Sequence, residues 1–170
     1  EDVIIDYVGL NHLSWITGVF CDGRDLLPEK LAEVDISGKL KNIPDIDIDL
    51  LKTIGAYPCG YLTYYYYSGK QLQKLLKEEK SRGEVCKEIE KELLQMYRDS
   101  SLIEKPAELD KRGGAMYSEA AVSLISAIYN DKKEIHVVNT KNGGVLDFMN
   151  PNDVIEISCM ISQNGATPIP

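Results

Sequence analysis

The hydrophobic pattern puts strand-like segments at both ends of the chain and helical ones between them. Residues 3–10, Val-Ile-Ile-Asp-Tyr-Val-Gly-Leu, are β-branched and aromatic enough to predict a strand. A second run over residues 14–20 predicts another, and it meets Asp22-Gly23, a dipeptide suited to a hairpin turn. Pro28 then suits the first turn of a short helix reaching about residue 34. Residues 45–54 alternate aspartate with isoleucine and leucine, and so read as helix or extended chain. Helix is favoured by Leu50-Leu51-Lys52 and by Asp45 as an N-terminal acid after Pro44. Residues 71–98 are dense in Leu, Lys, Glu and Gln. With Leu72, Leu76, Cys86, Ile89, Leu93 and Tyr97 at helical intervals, they predict one long helix. Gly83 weakens its middle by about 1 kcal/mol relative to alanine, which places a kink or break there. A further helix is expected over residues 117–129, stopped by Asn130, and then strands over 135–139, 144–148 and 154–161. Strands, then helices, then strands make the fold α+β and not a series of βαβ units. No repeat, low-complexity tract or linker divides the chain, so residues 1–170 are expected to form a single domain.

Composition narrows the function classes. Apolar residues at 44% and charged residues at 27% are globular values, which excludes disordered and collagen-like chains. A formal charge of −8 argues against a nucleic-acid partner, which calls for a dense basic face. No apolar run approaches the ~18 residues of a membrane span, and no signal peptide is evident. Cys21, Cys59, Cys86 and Cys159 are widely spaced, with no C-x-x-C pair. They read as free thiols in a reducing compartment, with the cytoplasm as default. The chain enters an apolar run directly after Glu1-Asp2 and stops directly after a strand-like stretch. Natural termini are usually polar and frayed, so a piece of a longer protein is expected.

Few residues offer chemistry. Gly113-Gly114 and Gly143-Gly144 lack the G-x-G-x-x-G spacing that cradles a pyrophosphate, so this chain is not expected to bind a nucleotide. His12 follows Gly9-Leu10-Asn11 at the end of the first strand, where a side chain can project into a cleft. A lone histidine is more often structural than a ligand, and no H-x-x-x-H or nearby cysteine completes a metal site. His136 sits within a strand and reads as structural. Six tyrosines fall at 57, 61, 64, 65, 66 and 67, of which Tyr57, Tyr61 and Tyr64 share one stripe if the segment is helical. Most must pack, and a tyrosine serves as general base only where a cation lowers its pKa from near ~10. Arg82 shares the helical stripe of Cys86, Ile89 and Leu93, so it is expected to face inward and to need a partner. That partner is Glu78 or Glu79, or else an anionic ligand, for which the guanidinium fork suits phosphate or carboxylate. Arg112 before Gly113-Gly114 is a second candidate, although that loop reads equally well as the first turn of a helix.

Six ordered stretches together resemble the family-4 glycoside hydrolases, and within them the 6-phospho-β-glucosidase branch. They are Gly9-Leu10-Asn11-His12-Leu13-Ser14-Trp15, Gly60-Tyr61-Leu62-Thr63-Tyr64-Tyr65, Arg82, the run from Arg112-Gly113-Gly114 to Ala121, Val138-Asn139-Thr140-Lys141-Asn142-Gly143-Gly144, and Asn152-Asp153-Val154-Ile155-Glu156 through Asn164-Gly165. The resemblance runs over nearly the whole chain. It implies the C-terminal-type domain of the lactate/malate dehydrogenase-like family-4 glycosidases, mixed antiparallel strands packed with long helices, without the nucleotide-binding domain that precedes it or the final helices that follow. The chemistry it implies is the NAD-dependent exception to two-carboxylate glycoside hydrolysis. NAD+ oxidises the sugar 3-hydroxyl, a tyrosine removes the C2 proton while a divalent metal, typically manganese, stabilises the enediolate, and elimination and water addition follow.

On that resemblance His12 matches the metal-ligand histidine, Tyr61 the catalytic tyrosine and Arg82 the arginine that grips the 6-phosphate. The metal's cysteine partner lies upstream and is none of the four here. The whole protein is then expected to cleave 6-phosphorylated β-glucosides as a homodimer or homotetramer, and this chain alone to be inactive. Alternatives are a 6-phospho-α-glucosidase, an α-galacturonidase-like enzyme, or a non-catalytic oligomerisation and substrate-binding piece.

Overall fold

The computed structural model describes residues 3–37, 46–113 and 116–169, with side chains outside 34–37. The backbone gathers into two compact units, residues 1–68 with 126–170, and residues 69–125.

The first unit is built on an antiparallel sheet. Its strands are β1 (Val3–Leu10), β2 (Leu13–Cys21), β3 (Arg24–Asp25), β4 (Tyr57–Pro58), β5 (Glu134–Lys141), β6 (Val154–Ser162) and β7 (Gly165–Pro168). The order is β3-β2-β1-β6-β5, with β4 pairing β2 and β7 pairing β6. The central strand β6 alternates as a buried strand should, with Ile155, Ile157, Cys159 and Ile161 inside. The Asp22-Gly23 hairpin forms as expected, both residues taking the positive φ that its tight turn demands. Helices α1 (Leu27–Ser37) and α2 (Ile48–Ile54) lie between β3 and β4 in sequence. They bury Leu27, Leu31, Ile46 and Leu51 with Val19, Tyr57 and Tyr67 packed alongside. Each such side chain contributes about 1.5–3 kcal/mol when fully buried. The acid that caps α2 is Asp47, whose side chain accepts the Asp49 amide, while Asp45 lies outside the described residues. Tyr57, Tyr61 and Tyr64 do not share a helical stripe. The chain passes from β4 through a 3₁₀ turn (Gly60–Leu62) to the single-turn helix α3 (Thr63–Tyr66).

The expected strand at 144–148 is absent. Fully buried Asn142 makes the hydrogen bonds a strand partner would otherwise supply, its amide nitrogen sharing its two hydrogens among the carbonyls of Leu146, Met149 and Asn150 and its oxygen accepting the Leu146 amide. A side chain that satisfies the backbone this way holds a compact loop in place of a ladder. Conversely, β7 arises where no strand was expected, turning back on β6 through Gln163-Asn164.

The second unit is helical. The long helix expected over 71–98 is two, α4 (Ser68–Leu75) and α5 (Arg82–Met96). The break falls before Gly83 because Ser81 and Glu84 form a reciprocal capping box that starts a new helix. Gly83 therefore sits in a first turn, not at a kink. Ile89 and Leu93 are the buried positions of α5. Arg112 ends the short helix α6 (Glu108–Arg112) and does not open one, with Gly113 as its C-cap. Helix α7 (Tyr117–Tyr129) begins in this unit and ends in the first. No helix among the described residues is long and apolar enough to cross a membrane.

Candidate active site

Two short segments of the first unit converge. Leu10 and Leu13 are the last pair of the β1–β2 ladder, so Asn11-His12 forms a two-residue turn in which His12 takes φ 65°. Gly9, one residue inside the hairpin, is at φ 151°, and a Cβ there would lie 2.5 Å from the Leu13 carbonyl oxygen and the Ser14 Cα. Glycine is required for that close approach. The Ser14 carbonyl in turn accepts the Cys59 amide at 2.8 Å, and the Leu62 amide donates to the Cys59 carbonyl at 2.9 Å. These bonds, with the Thr63 hydroxyl donating to the Gly60 carbonyl at 2.7 Å, curl the chain into the 3₁₀ turn. Tyr61 is thereby left 56% exposed. Its ring centroid stands 4.8 Å from that of His12, at an interplanar angle of 47°.

Sequence proximity would not bring these two residues together; the sheet does, through the pairing of β4 with β2 at Trp15–Pro58. Among the described residues no group of three His, Cys, Asp or Glu side chains can hold a metal ion, so His12 offers a single donor. Val8, Leu10, Leu13 and Trp15 of the hairpin line an open apolar cavity of about 500 Å³ together with Leu62, Tyr66 and the loop residues Leu146, Phe148 and Met149. The sequence offered no sign of this cavity, because its third wall is the loop organised by Asn142.

Arg82 lies in the second unit and does not face inward. As the first residue of α5 it is exposed, and among the described residues no carboxylate holds it. Its Nη2 donates instead to the carbonyls of Lys111 and Arg112 at 2.8 and 3.2 Å, the C-terminal carbonyls of α6, where a cation is favoured. A helix that starts at Arg82 leaves that side chain at its end, not along a continuous apolar face. His136 is partly buried on β5, with Nε2 3.4 Å from Glu134, as a structural histidine would be. Cys21, Cys59, Cys86 and Cys159 are free, and burial pushes the Cys159 thiol up from its ordinary value.

Residues 7–170 match the family model of the family 4 glycosyl hydrolase C-terminal domain. A 6-phospho-β-glucosidase of Escherichia coli K12 is 37% identical over 100% of this chain and 40% of its own length. The Thermotoga maritima 6-phospho-β-glucosidase BglT is 42% identical over 95% of the chain and 38% of its own. A solved structure of the 6-phospho-β-glucosidase from T. maritima, with manganese, NAD+ and glucose-6-phosphate, superposes with a TM-score of 0.82 at 36% identity, covering 99% of this chain and 40% of that one. The chain thus spans about 40% of the length of the relatives it matches.

Proposed function

This chain belongs to the family 4 glycosyl hydrolases, matching their C-terminal domain, and we propose that the whole protein is a 6-phospho-β-glucosidase in which Tyr61 takes the C2 proton of the sugar. The observation that carries the reading is the 4.8 Å approach of the exposed Tyr61 phenol to the His12 imidazole. One is a group that can accept a proton, and the other is a nitrogen ligand for a cation. A divalent ion held there would supply Lewis-acid stabilisation of negative charge beside the phenol. His12 gives that ion one ligand, and the remaining donors come from elsewhere in the protein. The 3₁₀ turn, fixed through Cys59 and Thr63, presents Tyr61 Oη to the sugar without a flexible hinge.

Arg82 binds the 6-phosphate. With Nη2 anchored on the α6 carbonyls, its Nε and Nη1 donors remain for an anion, and the N-terminal turn of the fifteen-residue α5 favours negative charge. A dinucleotide is a different case. The sequence has no G-x-G-x-x-G stretch to cradle a pyrophosphate, so its residues do not fit the cofactor, and NAD belongs with the rest of the protein.

Relatives named 6-phospho-β-glucosidase reach 42% identity and a phospho-α-glucosidase 28%, which supports the β-anomer over the α-linked alternative. On the same reading residues 1–170 act as one α+β domain, since the family model runs across both units. The enzyme works in the cytoplasm on sugars phosphorylated during uptake, as a homodimer or homotetramer. Tyr117, Val122, Ile125 and Tyr129 of α7, all exposed, supply apolar area for self-association.

The test is release of p-nitrophenol from its β-glucoside 6-phosphate by the full-length protein, with and without NAD+ and Mn2+, beside the unphosphorylated glucoside. Turnover should need both cofactors and the phosphate, and should fall about 10²–10⁴-fold in Tyr61→Phe. Turnover indifferent to NAD+ overturns the reading; turnover of only the α-phosphoglucoside keeps the mechanism and changes the anomer.

A further inference from the structure

A polar network beneath the His12 turn is not used by the chemistry above. β1 lies between β2 and β6, with Gly9 paired to both Ser14 and Glu156. This brings Tyr7, Ser14 and Glu156 together from three adjacent strands. Tyr7 Oη is hydrogen-bonded to Ser14 Oγ and donates to Glu156 Oε2 at 3.3 Å. A phenol has one hydrogen, so with that hydrogen on Glu156 the Ser14 hydroxyl must be the donor to Tyr7. The network therefore has one direction, Ser14 to Tyr7 to Glu156. Its far side is fixed by Ser158, whose Oγ accepts the Tyr7 amide at 3.2 Å and donates to the Ile5 carbonyl at 2.8 Å. Burial pushes the Tyr7 phenol above its ordinary value, which keeps its hydrogen in place through the neutral range.

Ser14 is the junction. It is fully buried, it follows His12 by two residues, and its carbonyl holds Cys59, two residues before Tyr61. One residue, through its hydroxyl to Tyr7 and its backbone carbonyl to Cys59, thus links the network to the segments bearing both groups of the candidate site. We propose that Tyr7, Ser14 and Glu156 are positioning residues that set the separation of the His12 imidazole and the Tyr61 phenol, so that the network governs proton abstraction and not sugar binding. The inference rests on the function proposed above.

The test uses the full-length enzyme with substrate deuterated at C2. Tyr7→Phe should lower kcat about tenfold or more, with KM changed less than about twofold, because small displacements of a reacting group cost rate steeply. The C2 isotope effect should rise, since proton removal becomes more fully rate-limiting; a loss of folded enzyme alone would lower the rate and leave the isotope effect unchanged. Glu156→Ala should reproduce the defect, and Glu156→Gln, which keeps an acceptor for the Tyr7 hydrogen, should lose several-fold less. If Tyr7→Phe does not fold, the comparison of Glu156→Ala with Glu156→Gln decides. Wild-type kcat and isotope effect in these variants, with Tyr61→Phe inactive, would overturn the network's role alone. An active Tyr61→Phe would instead overturn the function on which it rests.

Discussion

At Gly9 the backbone of β1 approaches β2 so closely that a methyl group would overlap the Leu13 carbonyl, and its φ is one that other residues rarely take. Neither atom is a flexible side-chain end that could swing away. Gly9→Ala should therefore destabilise the chain by about 2–3 kcal/mol, read as a lower urea midpoint at unchanged slope. The displaced turn should also move His12, so the same substitution in the full-length enzyme should reduce turnover by more than its folding loss accounts for. Asn142 makes the complementary case, in which a side chain and not its absence is required. Four hydrogen bonds converge on it with no exposure to water. Asn142→Ala leaves buried backbone groups unpaired and should cost about 2–4 kcal/mol by the same measurement.

The start of α5 shows how a local signal overrides a periodic one. Leu72, Leu76, Cys86, Ile89 and Leu93 keep helical spacing across the gap, and that spacing alone reads as continuous. The Ser81–Glu84 capping box ends the continuity, because it satisfies amide donors that a continuous helix would have bonded to preceding carbonyls. Ser81→Ala should lower stability by about 1 kcal/mol. The Ser81 backbone amide, and then its hydroxyl, hold the Glu84 carboxyl below its ordinary range. A depressed folded-state pKa stabilises above the unfolded value and loses that contribution as pH falls through the folded value. The α5 amides should accordingly lose hydrogen-exchange protection as pH drops below the normal glutamate range, and Glu84→Gln should flatten that dependence.

Where sequence and structure agree most simply, as for β5 and β6, burial steps with the two-residue period of a strand. Where they part, a single side chain or pairing decides: Asn142 for the loop at 144–148, the fold-back of β7 on β6, and Ser81 for Arg82. Of the candidate site, His12 and Tyr61 stand out in the sequence only through the ordered stretches of family resemblance. Their contact depends on β4 joining β2, a pairing two residues long that no periodicity announces.

For the whole molecule, His12 and Tyr61 lie in one unit and Arg82 in the other, and the sequence carries no G-x-G-x-x-G stretch in either. The chain alone should thus be inactive towards phosphoglucosides even with NAD+ and Mn2+ added. Inactivity by itself would be equally true of a misfolded chain, so the sharper measurement is of the metal. A single imidazole cannot replace the several ligands a divalent ion requires, and no cluster among the described residues adds them. The proton relaxation enhancement of Mn2+ should show no saturable site on this chain up to millimolar concentration, and His12→Ala should leave that weak, non-specific response unchanged. In the full-length protein the same substitution should abolish tight Mn2+ binding, because there His12 completes a set. Tight binding by the isolated chain, lost in His12→Ala, would mean that the ligands all lie within these 170 residues and that the metal site is not shared with the rest of the protein.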